Sequence, residues 1–325
     1  MNESYDVVVI GGGAAGLSAA VALARSCRSV LVVDAGEPRN SPAGHVHNFL
    51  TRDGTPPGDL FAAGRAEVVR YGGQVEAGKV TALSRDGELF LAEVNGRGVT
   101  ARRLLVATGL RDELPDVPGL AERWGTDVLH CPYCHGWEVR DERVGILATG
   151  PAAVHQALLF RQLTPHVTVL RHTAAPFAAE QAEQFSVLGI PVIDGLVVQV
   201  ETSAGRLAGA RLADGTTVAL DALVVTPKCV ANADLLAPLG LVTVEMSVQG
   251  QVLATRIAAQ PSGATSVPGI YVAGNVTDPQ AQVITSAGAG LMTGAAINMD
   301  LVAEDARRAV TQARARKNVE AADRH

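Results

Sequence analysis

Apolar runs and small-residue segments alternate along the start of the chain in a regular order. Residues 6–10 are rich in β-branched side chains and predict a buried parallel strand, which ends in Gly-Gly-Gly-Ala-Ala-Gly at 11–16. The alanine-rich stretch 17–25 predicts a helix, and the run 30–33, closed by Asp34, predicts the next strand. The pattern therefore predicts a βαβ unit at the amino terminus.

Two later stretches share a second pattern of short strands and turns. Residues 75–109 predict a meander with turns at Arg85-Asp86-Gly87 and Asn95-Gly96, and it ends in Leu-Leu-Val-Ala-Thr-Gly. Residues 192–227 repeat this plan and end in Ala-Leu-Val-Val-Thr-Pro, and a weaker copy of the glycine motif lies between the two meanders. The repetition predicts two nucleotide-binding-type domains of similar plan.

Segments rich in proline and loop formers predict where the chain crosses between these domains, near 115–119 and 227–238. The last strand, 269–274, and the helix after Ala281 are expected to return to the first domain. The charged, alanine-rich stretch 303–325 is expected to be a helical extension or a frayed end. We therefore predict an α/β fold with two Rossmann-like, three-layer ββα nucleotide-binding domains, the first discontinuous in sequence and spanning 1–116 and 238–325, the second spanning 117–237.

Composition narrows the class of protein. The 325 residues are 47% apolar and 18% charged, which is typical of a compact chain of about two domains. A net charge of −6 disfavours a nucleic-acid or anionic-membrane partner. No apolar run reaches the roughly 18 residues of a spanning helix, and no signal-type segment opens the chain. We expect a cytoplasmic protein without a nucleic-acid or membrane partner.

The first glycine motif is the candidate dinucleotide site. Gly11 permits a tight turn, Gly13 lets the backbone approach a pyrophosphate, and Gly16 lets the helix pack closely on the strand. The helix amino terminus offers N–H donors to the anion, and Asp34 can accept from a ribose hydroxyl. A glycine turn without a ligand is the alternative, but the position between strand and helix favours binding. The residues assigned here are Gly11, Gly13, Ala14, Ala15, Gly16 and Asp34.

The segment Cys131-Pro132-Tyr133-Cys134-His135 is the candidate redox centre. Two cysteines with this spacing close a small disulfide ring, and a neighbouring base can hold one of them as the thiolate. A zinc half-site is the alternative, but no second pair of ligands with metal spacing completes it. Cys27 and Cys229 lie in apolar segments and are expected to be buried. Tyr133 and Trp137 are expected to pack rather than to recognise a ligand.

Four ordered motifs give the chain a resemblance, over nearly its whole length, to the low-molecular-weight thioredoxin reductase family. They are the first glycine motif, Ala107-Thr108-Gly109, the C-x-x-C pair and Ala273-Gly274-Asn275. The resemblance implies an FAD cofactor, an NADPH-like second domain that carries the C-x-x-C pair, and a homodimer. Besides the first glycine motif and Asp34, the positions it implies for FAD are Asn48, Thr108, Gly109, Gly274, Asn275, Gln282 and Val283.

The chain departs from that family in three places. Asn275 stands where aspartate is usual, although an amide can still hydrogen-bond the ribityl chain. The second glycine motif reads Ala-Thr-Gly-Pro-Ala-Ala at 148–153, where Pro151 removes an N–H, and the basic cluster that follows is reduced to Arg171-His172-Thr173. His135 replaces an aspartate.

With His135-Gly136-Trp137-Glu138 after the cysteines, the chain resembles the thioredoxin-reductase-like dithiol oxidases of the gliotoxin and holomycin pathways. This resemblance implies a small-molecule dithiol substrate that is oxidised to an intramolecular disulfide, with O₂ as acceptor and H₂O₂ as product. Cys131, Cys134 and His135 are then the catalytic residues, with His135 moving the proton. An NADPH-dependent disulfide reductase and a flavin-bound redox sensor are the alternatives. His45 and His47 either line the pocket or are hydrogen-bonded loop residues.

Overall fold

The computed structural model describes residues 3–322 of the protein, which form nineteen strands and six α-helices. The strands are β1 (Glu3–Ile10), β2 (Val30–Asp34), β3 (Gln74–Ala77), β4 (Val80–Asp86), β5 (Leu89–Val94), β6 (Arg97–Val106), β7 (Leu110–Glu113), β8 (Val128–Leu129), β9 (Val144–Leu147), β10 (Val167–Arg171), β11 (Val192–Asp194), β12 (Val197–Ser203), β13 (Arg206–Leu212), β14 (Thr217–Ala219), β15 (Ala222–Val224), β16 (Lys228–Ala231), β17 (Thr243–Val248), β18 (Gln251–Ile257) and β19 (Ile270–Val272). The helices are α1 (Ala14–Arg25), α2 (Pro57–Arg70), α3 (Pro132–His135), α4 (Ala152–Arg161), α5 (Ala179–Val187) and α6 (Val283–Ala322).

The largest sheet has a parallel part in the order β3-β2-β1-β6-β19, and the antiparallel meander β4-β5 continues from β6. The alternation of side chains along β1 sends Val7 and Val9 to the helix side, where they pack with Leu23 of α1. Val8 packs on the opposite side with Phe90 of the meander. Helices, parallel sheet and meander are therefore three layers, as the sequence predicts.

The second half of the chain repeats the plan with one difference. The parallel order is β11-β10-β9-β15-β8, and β12-β13-β14 form an antiparallel sheet of their own. In the first half β6 runs through meander and parallel sheet without a break, whereas here β14 ends before β15 begins. At this break, Asp221 accepts hydrogen bonds from the backbone N–H and the Nε of Arg143, at 3.1 and 2.8 Å. The two meanders are therefore alike in plan, but only the first is continuous with its parallel sheet.

The strand β7, which directly precedes the first expected crossing at 115–119, lies beside β16, which belongs to the second at 227–238. β7 and β16 pair antiparallel, with Leu110 opposite Ala231 and Glu113 opposite Lys228, in a four-stranded sheet of order β17-β18-β16-β7. Both crossings are thereby tied to the β17-β18 hairpin. The exact domain limits stay a prediction.

Helix α6 anchors the carboxyl-terminal part of the chain on α1. A Cβ at Gly290 would overlap the backbone of Ala15, and one at Gly294 would lie 2.9 Å from the Ala19 carbonyl oxygen, so the two backbones are in close contact. Beyond that contact, Arg103 is bound by Asp300 at 2.6 Å and by Glu304 at 2.5 Å. The helix covers the part of the tail predicted to be helical up to residue 322, and 323–325 lie outside the described residues.

The sequence expectation that Cys27 is buried is wrong. Cys27 is exposed because it follows the end of α1 with a positive φ of 58°, which turns the chain towards solvent, whereas Cys229 is buried as predicted. Tyr133 and Trp137, both expected to pack, are 63% and 66% exposed, and the Trp137 ring packs against the Arg140 guanidinium, at 4.2 Å. In the described part of the chain, no helix is both long and apolar enough to cross a membrane.

Candidate active site

One cavity of about 1910 Å³ joins the first glycine motif to the C-x-x-C pair. It lies at the carboxyl ends of the parallel strands of the first half, where open α/β sheets bind their ligands. Most of the residues predicted from the sequence line it. They are Gly11, Gly13, Ala14, Ala15, Asp34, Thr108, Gly109, Cys131, Cys134, His135, Gly274, Asn275, Gln282 and Val283.

Two predicted residues do not line the cavity. Gly16 is buried behind the turn, where a Cβ would overlap the carbonyl oxygen of Gly11, so it acts through packing. Asn48 is exposed, with a positive φ of 59°, and its side-chain amide donates to the backbone oxygen of Tyr133. Asn48 therefore fastens a loop of the first half to the C-x-x-C segment.

The glycine turn has the shape that a dinucleotide requires. Gly11 has a φ of 107°, and a Cβ at this position would lie 2.4 Å from the carbonyl oxygen of Ala107, so only glycine fits. Gly13 caps α1 without a side-chain hydrogen bond, and nothing lies within 4 Å of where its Cβ would be. The amino terminus of α1 therefore opens on the cavity as an anion site, and Asp34 accepts from Gly12 N at 3.1 Å beside it. The residues present fit a bound FAD.

Asn275 has a structural role besides the predicted contact with the cofactor. Its amide nitrogen donates to the carbonyl oxygens of Asp278 at 3.0 Å and Ala281 at 2.9 Å, and so closes the loop before α6. An aspartate could not donate these bonds. The amide oxygen is then the atom of Asn275 that can reach a ligand hydroxyl.

The two cysteines differ in their affinity for the proton. Cys131 immediately precedes α3, and a hydrogen bond from the Cys134 thiol, together with the N–H groups of Cys134 and Tyr133, lowers the pKa of Cys131 to about 7 against the effect of burial. The same hydrogen bond, followed by burial, raises the pKa of Cys134. Cys131 therefore carries the thiolate when the pair is reduced, and it is the better nucleophile near neutral pH.

His135 ends α3 and faces the same cavity. Its Nε2 is buried and has no hydrogen-bond partner among the residues that the structure describes. Burial lowers the pKa of His135, while the Glu138 carboxylate acts to raise it and His47 acts to lower it. A neutral imidazole with an unused ring nitrogen next to a dithiol is equipped to accept a proton.

The sequence contains no sign of an ion pair near the cysteines, between a partly exposed Arg39 and a buried carboxylate of Asp112. Arg39 donates to both carboxylate oxygens of Asp112, at 2.8 and 2.7 Å, and the Cys229 thiol lies 3.6 Å from Asp112. Arg39, Asp112 and Cys229 all line the cavity, and burial raises the pKa of Cys229 to about 11. Cys229 is therefore a thiol that stays protonated. Asp112 and Cys229 are 73 and 190 positions from Arg39 in the sequence. No local sequence motif could therefore have predicted this cluster.

The second glycine turn is covered by the chain itself. A Cβ at Gly150 would overlap the side-chain oxygen of Gln251, the first residue of β18, and that oxygen is buried with no partner among the described residues. Pro151 occupies the N-cap of α4, and Arg171 is engaged with Asp194 at 2.7 Å. Of the features that would hold a second dinucleotide, the glycine turn is thus blocked by Gln251, an N–H is missing at Pro151, and Arg171 is already paired.

Metal binding finds no support in the arrangement of the side chains. Within residues 3–322 no three His, Cys, Asp or Glu side chains are placed to hold one ion.

The sequence profile of the pyridine nucleotide-disulphide oxidoreductase family matches residues 5–294. The chain belongs to this family. The family member thioredoxin reductase sirT of Leptosphaeria maculans is 30% identical, over 93% of this chain and 95% of its own. The chain is therefore a redox enzyme of the thioredoxin-reductase-like type, as its motifs predict.

Solved structures of similar proteins agree with the fold. The crystal structure of HlmI has a TM-score of 0.88 and 45% identity, covering 95% of this chain and 96% of HlmI. The putative thioredoxin reductase TrxB from Bacillus anthracis has a TM-score of 0.84 and 26% identity, covering 93% and 99%. The predicted fold class, with two Rossmann-like domains, is confirmed.

Proposed function

We propose that this oxidoreductase is an FAD-dependent dithiol oxidase, which forms an intramolecular disulfide in a small dithiol natural product of the holomycin or gliotoxin type. The observation that carries the proposal is the common cavity of the glycine turn, the C-x-x-C pair and His135. A flavin held at the glycine turn could exchange electrons with the C-x-x-C pair, while His135 moves the proton. The flavin, when bound, would accept the two electrons, and O₂ would reoxidise it to give H₂O₂.

Different residues of the cavity would hold different parts of the cofactor. The N–H groups at the start of α1 would bind the pyrophosphate, and Asp34 would accept from the ribose. The remaining contacts would come from the strand ends and the loop before α6. The residues proposed there are Asn48, acting through the C-x-x-C segment, and Thr108, Gly109, Gly274, Asn275, Gln282 and Val283.

The cysteines and the histidine then account for the reaction of the substrate. One substrate thiol gives its proton to His135, and the resulting thiolate attacks the Cys131 sulfur of the oxidised pair, which breaks the Cys131–Cys134 bond. The second substrate thiolate attacks the first substrate sulfur and displaces Cys131. The product leaves as a cyclic disulfide, and its two electrons remain in the enzyme's dithiol.

The covered second glycine turn favours an oxidase over an NADPH-dependent reductase. Gln251 lies against Gly150, where the pyrophosphate of a dinucleotide would need the backbone. Arg171, the arginine left for a 2′-phosphate, is paired with Asp194. His172 Nδ1 accepts from Val197 N at 2.9 Å and is likewise used within the chain.

Anaerobic mixing of the FAD-loaded protein tests the proposal. We expect a small dithiol alone to bleach the flavin, NADPH to leave it oxidised, and O₂ to restore it with one H₂O₂ per dithiol. Cys131→Ser should abolish bleaching while the FAD content is unchanged, with Cys27→Ser as the matched control. Bleaching by NADPH would replace the proposal with a disulfide reductase, and a protein that takes up no O₂ with any dithiol would be a sensor.

We also propose that the enzyme is a homodimer joined through α6. The face of α6 that turns away from α1 exposes Leu291, Met292, Met299 and Val302, at 51–72%. A second copy of the chain is the occupant that the family resemblance implies, and burying these side chains would stabilise the contact.

A further inference from the structure

A loop of the first half, residues 45–53, is docked on the segment that carries the dithiol. Asn48 donates to the Tyr133 carbonyl oxygen, and its own N–H is accepted by Asp53 at 2.8 Å. His47 lies between two carboxylates, with Nδ1 3.3 Å from Asp53 and Nε2 3.3 Å from Glu138. The loop therefore places a titratable imidazole beside the helical turn that follows the cysteines.

The three side chains form a line in the order Asp53, His47, Glu138, with the histidine at the cavity and an exposed carboxylate on each side of it. The side chain of Asp53 is 67% exposed and that of Glu138 is 43% exposed, whereas that of His47 is 23% exposed and lines the cavity. Glu138 follows His135 by three residues in a turn that continues α3, a spacing that puts both side chains on one face. Each neighbour in the line can therefore accept a proton from the previous one.

His135 itself needs such an outlet. Its Nε2 is enclosed and has no partner within residues 3–322, and the titratable groups whose charge acts on it are Glu138 and His47. A proton taken up there can leave through the cavity or through the exposed carboxylates beside it. Among these groups it is the Glu138 carboxylate that would stabilise the imidazolium, since its charge raises the pKa of His135.

We propose that Glu138, His47 and Asp53 relay protons between His135 and solvent. The inference rests on the proposed function, in which each dithiol loses two electrons and two protons. A proton on His135 passes to Glu138, then through the two nitrogens of His47 to Asp53 and water. O₂ takes up two electrons and two protons to become H₂O₂, so the overall reaction balances and the same residues can return a proton. Glu138, His47 and Asp53 are positioning and relay residues, and His135 remains the group that meets the substrate.

A proton relay predicts a different result from a purely electrostatic effect of Glu138 and His47 on the pKa of His135. Removing the Glu138 carboxylate lowers the pKa of His135, while removing His47 raises it, because the two groups act on the imidazolium with opposite sign. The electrostatic effect alone would therefore shift the pH profiles of the two variants in opposite directions and leave the plateau rate unchanged. A relay requires both variants to lower the plateau.

The test uses the full FAD-loaded chain with Glu138→Gln and His47→Gln, and Glu142→Gln as a control that loses the same charge four residues further on. The readouts are dithiol-driven O₂ uptake against pH, and proton release, followed with a pH indicator, when dithiothreitol reduces the oxidised enzyme. We expect both variants to fall about tenfold in plateau rate, with little change in KM, and the control to match the parent.

Chemical rescue separates a relay from a structural role. Imidazole should restore His47→Ala, and formate should restore Glu138→Ala, while FAD content and melting temperature show that both variants are folded. Plateau rates equal to that of Glu142→Gln, or variants that no added acid or base restores, would overturn the relay. Proton release with dithiothreitol tests it even if O₂ uptake fails, and that failure would count against the proposed oxidase alone.

Discussion

At the scale of single residues, the functional asymmetry of the dithiol comes from one hydrogen bond. The sequence predicts the C-x-x-C pair but contains no signal for which sulfur is the donor. In the structure the Cys134 thiol donates to Cys131, which sits at the start of a helical turn and also receives backbone N–H groups. The result is one sulfur that ionises easily and one that keeps its proton.

This asymmetry predicts the pH dependence of alkylation. In the reduced protein the thiolate fraction of Cys131 should rise with pH and be half-maximal near its pKa of about 7. Cys134→Ala removes the donor, so the midpoint should move up towards the ordinary value of 9.0. Iodoacetamide labelling followed by peptide mass spectrometry measures both, with Cys229→Ala as the control that leaves the midpoint in place. An unchanged midpoint in Cys134→Ala would show that another group sets it.

At the scale of elements, the sequence is informative about strands and less so about helix contacts. The turns with Gly87, Asn95 and Gly96 are found where predicted, all with positive φ, because these residues tolerate that conformation. The helix after Ala281 is also found. That two of its glycines touch α1 could not be predicted, because the contact joins segments about 270 residues apart and depends on their packing.

The contact between α1 and α6 gives a stability prediction. Gly290→Val would press a side chain into the backbone of Ala15, and we expect a loss of about 1–3 kcal/mol in the free energy of unfolding. Gly288→Ala is the matched control, since nothing lies within 4 Å of its added methyl group. Alanine should stabilise the helix there by roughly 0.5–1 kcal/mol. Urea unfolding of the two variants measures the difference, and equal stabilities would contradict the close packing.

At the scale of the whole molecule, repetition in the sequence predicts two halves and the places where the chain crosses between them. The meeting of Gln251 with Gly150 could not be predicted, because it brings together one residue from each of two distant segments. Nor could the ion pair of Arg39 with Asp112. The first contact joins the two halves and the second joins residues 73 positions apart within the first half, and a linear pattern carries no information on either.

The proposed dimer gives a prediction at this scale. Met299→Glu with Val302→Glu would place two charges on the exposed face of α6, and we expect the mass measured by light scattering to halve. Gln312→Glu, further along the same helix, serves as the control for an added charge. A parent protein that already runs as a single chain would remove the basis for this interface.

The side chain that rests on Gly150 has a practical consequence for protein engineering. A redesign that lets the enzyme accept hydride from NADPH would need arginines for recognition of the 2′-phosphate. In this molecule such arginines alone would not be enough, because the side-chain amide of Gln251 in the β17-β18 hairpin lies against Gly150, where the diphosphate would bind. Shortening the hairpin is the first step of such a redesign, and charge comes second.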